Sequence, residues 1–322
     1  MAGAGGVQRL IRRVLALRPV RAFQSYTGHR GPILASGLAY SALFSVFAAV
    51  WVAFSVAGLV LAGDDQLRAS FVGAVADTVP GLISTGGASG AIDPDDLLQS
   101  PTFSWTGIVA LLGGLLTALG FLSSARDAIR EMFSLPPPRV NGVLLKLRDL
   151  ALLVGFAVVV IVSTGVTVLG TGATGALLSL VGIPSDSDLG YVAGRVVSIA
   201  VALALDSLVV GVLLTLHSGI RIPRRQLVPG ALIGGAGAAL LTVLFQLGVL
   251  GGAGANPLLG SFVVIIGLLI YFNVLCQALL IAASFVAVSL ADRGISVVPK
   301  DAERMPRHAR PALQRPRVRR ER

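Results

Sequence analysis

Residues 261–290 carry no charged side chain. About 20 consecutive apolar residues are enough to take a helix across a bilayer, so a run of this length leaves few alternatives. Similar runs occupy residues 33–62, 103–122, 150–170, 192–216 and 227–250. In hydrocarbon each backbone N–H and C=O must find a partner inside the protein, which makes such runs helices. The composition agrees. Only 13% of the 322 residues are charged and 54% are hydrophobic, whereas soluble domains carry about 25% charged residues. The mean hydropathy is +0.83. The expectation is an all-α, polytopic membrane protein with six transmembrane helices and additional interfacial amphipathic helices.

The segments between the runs are distinctive. In residues 7–18, Val7, Leu10, Ile11, Val14 and Leu17 share a helical face, with Arg9, Arg12 and Arg13 mostly opposite. This pattern suits a basic amphipathic helix lying on a membrane surface, ended or kinked by Pro19. A short helix free in the cytosol is the alternative. Residues 63–101 carry Asp64, Asp65, Asp77, Asp93, Asp95 and Asp96 against one Arg68. There Leu67, Phe71, Val72, Val75 and Val79 outline a short amphipathic helix before Pro80, with a flexible Gly/Ser/Asp-rich stretch beyond. Pro136, Pro137 and Pro138 impose an extended break after the second run, because three prolines cannot continue a helix. From Asp292 onward the chain is polar and rich in Pro and Arg, a composition that favours disorder. The expected organisation is a basic amphipathic segment at 1–30, a six-helix transmembrane domain at 31–291 and a basic tail at 292–322.

Charge sets the expected orientation. Six arginines precede the first run, five basic residues follow the second, three follow the fourth and ten occupy the tail. The other three connections hold only Arg68. Basic residues therefore alternate strictly with the runs, which predicts both termini on the cytoplasmic side. Six spans satisfy this alternation, whereas five or seven break it. The net charge of +10 is thus read as topology control and attraction to the anionic inner leaflet. It is not read as nucleic-acid binding, because no aromatic residue interleaves the tail arginines as a stacking platform requires.

Several chemistries find little support. Cys276 is the one cysteine, so there is no intrachain disulfide and no cysteine-based metal site. His29, His217 and His308 are scattered, without metal-ligand spacing. No glycine-rich stretch reads as a phosphate-binding loop. No cofactor and no enzymatic activity are expected.

The stretches GLAYSALFSVFAAV (37–50), IRIPRRQLVPGALIGG (220–235) and LGSFVVIIGLLIYFNVLCQALLIAASF (259–285), with the Pro80 region between the first two, resemble the YihY/BrkB family of bacterial inner-membrane proteins. The likeness spans roughly residues 28–290. It departs at Ala48, where the family has proline, at Ala282–Ser284, where the family often has Gly-Ala-Glu, and around Arg130–Phe133, where the family has Asn-x-x-Trp. The resemblance implies a six-helix protein of the bacterial cytoplasmic membrane that moves lipids or other molecules. The family's old ribonuclease label fits poorly, since phosphodiester cleavage needs clustered metal ligands or a positioned acid–base pair.

Intramembrane polar residues supply the candidate site. Asp206 is the acidic residue at the centre of a long apolar run, and such residues ordinarily face a bundle interior or a wet cavity. Arg195 lies 11 residues earlier, about 20° from alignment but about 16 Å away along the axis, so the two cannot pair directly. Asn273 and Gln277 share a face at i, i+4 and match Asp206 in depth, while Gln246 matches Arg195. The expectation is a polar cavity among spans four, five and six, with Arg195 and Gln246 in an outer layer and Asp206, Asn273 and Gln277 in a central one. The plainer alternative has Arg195 snorkelling outward and the remaining groups bonding between helices. Glycines at 113, 114, 120, 155, 165, 230, 234, 235 and 237 are read as close-packing positions. The functional expectation is transport or lipid handling of an unknown substrate. The alternative is a non-transporting structural or partner-binding membrane protein. Membrane lipids are the expected partners, and assembly into homo-oligomers is compatible with the sequence.

Overall fold

The computed structural model describes residues 15–60, 69, 72–73, 105–138, 141–155, 188–246 and 257–297. Their elements are α1 (Arg18–Gly28), α2 (Gly31–Val60), α3 (Trp105–Met132), α4 (142–155), α5 (Asp188–Val212), a π-turn (Leu213–His217), α6 (Arg224–Gln246) and α7 (Pro257–Asp292). No β-strand occurs among the described residues. Segments 7–14, 74–104 and 298–322 lie outside them, and so do the readings placed there: most of the surface helix, the Pro80 region and the tail. Most of the expected third span, 156–170, lies outside as well.

Four helical segments are long and apolar enough to cross a membrane: Gly31–Val50, Ile199–His217, Arg224–Phe245 and Ile265–Asp292. They coincide with the first, fourth, fifth and sixth apolar runs. Helix α3 covers the second run, and α4 enters the third.

Helix α1 shows what the sequence reading left out. Pro19 was expected to end or kink the preceding pattern; the chain does break at residues 16–17, and Pro19 stands in the first turn of a new helix. The missing N–H costs nothing there and the fixed φ suits the helix. Ala22 and Tyr26 are buried at i, i+4, and Arg18 and Arg21 reach the Asp292 carboxylate at 3.2 and 2.6 Å. The helix therefore lies against the end of α7. Arg30 adopts a left-handed φ of 56°, and α2 begins at Gly31. A side chain at Gly31 would collide with the Tyr26 ring.

Helix α2 packs on α3 and α7, and α6 packs on both α5 and α7. Lipid offers helices no hydrophobic drive to associate, so close approach through small residues and interhelical hydrogen bonds takes its place. Between α2 and α3, Gly114 faces the Ala48 methyl, and the Ser45 hydroxyl, which lies 2.7 Å from the Ser41 carbonyl, also reaches Thr117 O at 3.2 Å. On α6, Gly230 admits Val286 of α7, Gly234 admits Val210 of α5 and Ala282 of α7, Gly237 admits Ala278, and Gly235 admits the Ser207 backbone of α5. The glycines at 113, 120 and 155 have open space around them.

Helix α3 ends in a Schellman cap. The Leu135 N–H donates to Arg130 O at 3.0 Å, and Ser134 takes a left-handed φ of 54°. Leu135 is buried behind the cap, and Pro136 to Pro138 then forbid further helix. This stop turns the chain so that α4 returns beside α3.

Candidate functional site

The start of α2, the ends of α3, α5 and α7 and the starts of α4 and α6 meet at one end of the bundle. His29 Nε2 lies 2.9 Å from Ser134 Oγ, Arg130 donates to Ser218 O at 3.1 Å, and Ser284 Oγ donates to Met132 Sδ at 3.2 Å. Nearly all the described basic residues gather in the segments that meet here, among them Arg30, Arg126, Arg130, Arg148, Arg221 and Arg293.

At this basic end α3 and α4 line a half-open cavity of about 370 Å³. Leu116, Leu119 and Leu145 supply apolar lining, and Arg126, Asp127, Lys146 and Asp149 supply charge. Gly120 and Gly142 leave room by lacking side chains, and Pro137 and Pro138 complete the lining. Lys146 and Asp127 are exposed. Partial desolvation by its surroundings still raises the exposed Asp127 carboxyl above its ordinary range, against the lowering pull of Arg126 and Arg130.

Arg126 and Asp149 are the buried members, 3% and 1% exposed. Arg126 Nη2 donates to Asp149 Oδ2 at 2.6 Å. His217, at the close of the π-turn, lies beside them. Its Nε2 is 2.7 Å from the Leu122 carbonyl, an acceptor only, so Nε2 carries a proton and donates. Its Nδ1 lies 3.7 Å from Asp149 Oδ1, too far for a hydrogen bond. Arg126 Nε and Nη1, Asp149 Oδ1 and His217 Nδ1 find no hydrogen-bond partner among the described residues. Burial, followed by the like charge of Arg126, lowers the Arg148 guanidinium from its ordinary range. One helix junction thus concentrates two arginines, a carboxylate and an imidazole.

Of the residues singled out from sequence, Asp206, Asn273 and Gln277 fall elsewhere, and none of the three lines this cavity. Asp206 is half-buried on α5 and makes no hydrogen bond or ion pair among the described residues. Nearby in the bundle, the Tyr271 hydroxyl of α7 lies 3.3 Å from Thr242 Oγ1 of α6. Asn273 and Gln277 bond to each other at 2.6 Å, and Asn273 donates to Ser36 Oγ of α2 at 3.1 Å. No hydrogen bond joins either to Asp206. The reason is rotational. Ala278 faces α6, and residues one and five positions earlier point about 100° and 140° away from it. The side chains of Arg195 and Gln246 lie outside the described residues; Gln246 is the last residue of α6.

The junction at Arg126, Asp149 and His217 went unremarked in sequence. One signal was available: Arg126 and Arg130 at i, i+4, continuing a helix whose preceding turns are apolar. The other was not. The scattered histidine at 217 gains its neighbours only when α3, α4 and the π-turn converge.

Apolar helices of membrane-spanning length, glycine-mediated contacts and a basic end define an α-helical, multi-pass membrane protein. Within that class the chain belongs to the family described as Virulence factor BrkB, whose sequence model matches residues 22–306. No curated protein and no solved structure gives a match.

Proposed function

We propose that the protein handles amphiphilic molecules in the bacterial cytoplasmic membrane, taking them up in the α3–α4 cavity, with its basic end toward the cytoplasm. The cavity carries this reading: three leucines and four charged residues in one lining match a molecule with both an apolar and a polar part. Pockets for small molecules are mostly apolar, with a few polar groups that fix orientation. The gathering of arginines at one end supports the orientation, since basic residues are retained on the cytoplasmic side. No catalytic step is assigned to the site.

Reconstitution tests the proposal. Purified protein is placed in vesicles containing a fluorescent phospholipid, and dithionite is added outside. The expected result is bleaching beyond that of protein-free vesicles, reduced by Lys146→Ala. Bleaching at the protein-free level would remove lipid movement. It would favour the structural, partner-binding reading, for which the close glycine contacts of α6 with α5 and α7 already speak.

A further inference from the structure

His217 does not line the cavity, yet it is one of the most deeply buried polar residues described. The π-turn puts it there. The Ser218 N–H donates to Leu213 O at 3.1 Å, the wide register of a π-helix, which occurs as single turns and often at functional positions. The ring is pinned on one side only. Its Nε2 donates to the Leu122 carbonyl of α3 at 2.7 Å, so in the neutral ring Nδ1 is an acceptor. Opposite it, at 3.7 Å, stands Asp149 Oδ1 of α4, and neither side chain is more than 2% exposed. An ionised carboxylate oxygen is also an acceptor only. Two acceptors therefore confront each other, and neither has a hydrogen-bond partner among the described residues. Buried polar atoms left in that condition are costly.

One proton resolves the confrontation. On Nδ1 it makes the ring an imidazolium, which donates at both nitrogens. Nδ1–H then meets Asp149 Oδ1 in a charge-assisted hydrogen bond of about 2.7–2.9 Å, so the two atoms must approach by about 1 Å. The charged groups around the ring pull in both directions. Asp149 favours the added charge, whereas Arg126 of α3 and Arg148 of α4 oppose it, and Arg130 of α3 donates to the carbonyl of the next residue, Ser218, at 3.1 Å. Opposed influences of this kind keep a proton exchangeable. Without it, Arg126 Nε and Nη1 are the unpartnered donors of the cluster.

We infer that His217 Nδ1 and Asp149 Oδ1 form a proton-binding site, a clasp that draws α4 onto the π-turn when one proton enters and releases it when the proton leaves. The proton comes from water and returns to it. Asp149 also lines the half-open cavity, which gives the proton a path through that carboxylate and couples the clasp to the cavity wall. The site stands whether or not the cavity takes up lipid.

Nitrogen NMR of the full-length protein in detergent, labelled at its histidines, tests the clasp. The His217 signals are identified by their loss in His217→Gln, whose amide can still donate to the Leu122 carbonyl. At about pH 8 Nε2 should be protonated and Nδ1 bare, and at about pH 5 both should be protonated, since imidazoles change charge across that range. The new Nδ1–H should exchange with water at least about tenfold more slowly than in free histidine, the scale of one charge-assisted hydrogen bond. Asp149→Asn separates the clasp from simple packing. Its amide N–H can donate to Nδ1 while its oxygen accepts from Arg126, so the Nδ1 proton seen at acid pH should be lost. Should that variant fail to fold, giving a broad size-exclusion peak, the wild-type spectra and exchange rate decide alone. An Nδ1 that is bare at both pH values, protonated at both, or protonated but exchanging as fast as free histidine would overturn the inference. So would an Nδ1–H that persists unchanged in folded Asp149→Asn.

Discussion

At the scale of single residues, the decisive contact is between Arg126 and Asp149. Two charges taken out of water repay their desolvation only when paired, so removing one partner is far worse than removing both. Asp149→Ala should destabilise the protein by about 3–5 kcal/mol, whereas Arg126→Met with Asp149→Leu should recover most of that loss. Thermal unfolding of the purified variants measures both, and equal destabilisation by the single and double changes would sink the account. Asp127 gives a pH-dependent counterpart. Partial desolvation raises its carboxyl in the folded state, so the folded protein holds that proton more tightly than the unfolded chain does. The group therefore opposes folding at neutral pH, and the penalty fades as pH falls through the raised value. Asp127→Asn should raise the melting temperature at pH 7, with the gain shrinking toward pH 4. A gain independent of pH would remove the carboxyl as its source.

At the scale of elements, α6 depends on its glycines. A Cβ added at Gly235 would sit 2.7 Å from the Ser207 nitrogen and 2.9 Å from its Cα. Those are backbone atoms, so α5 itself must shift. Gly235→Ala should cost about 1–3 kcal/mol, the range for overpacked interiors. Gly113, with open space around it, is the control: its change to Ala should be neutral or stabilising by up to about 1 kcal/mol. Parallel melting curves decide, and equal effects at both positions would remove close helix approach as the cause. The sequence showed that the chain is rich in glycine and that Gly230 and Gly234 share a face. It did not show which glycines face a neighbour. Helix α1 teaches the complementary lesson, because proline punctuates a helix from either side and only the burial of Ala22 and Tyr26 decides which. The π-turn acts similarly, since it uses more residues per turn than an α-helix. His217 therefore leaves the face that a period of 3.6 assigns to it.

At the scale of the whole molecule, the 36 residues of α7 span about 54 Å, well beyond a hydrocarbon core of about 30 Å. The helix must tilt or project, and its last turn holds α1 through Asp292. The expected orientation is open to direct measurement. With Cys276→Ala as background, Asp95→Cys should react with a membrane-impermeant maleimide in intact cells, and Arg224→Cys only after permeabilisation. Reaction of both from the same side would overturn the six-span, both-termini-inside arrangement. The sequence alone determined the membrane class, the helical architecture and the family likeness. Those follow from apolar length, charge alternation and local motifs, which are written along one dimension. Only the tertiary structure decided that Asn273 and Gln277 turn toward α2 instead of Asp206, and that Arg126, Asp149 and His217 meet beside a cavity. Such meetings depend on how each helix is rotated and how closely its neighbours approach, and packing between distant segments sets both.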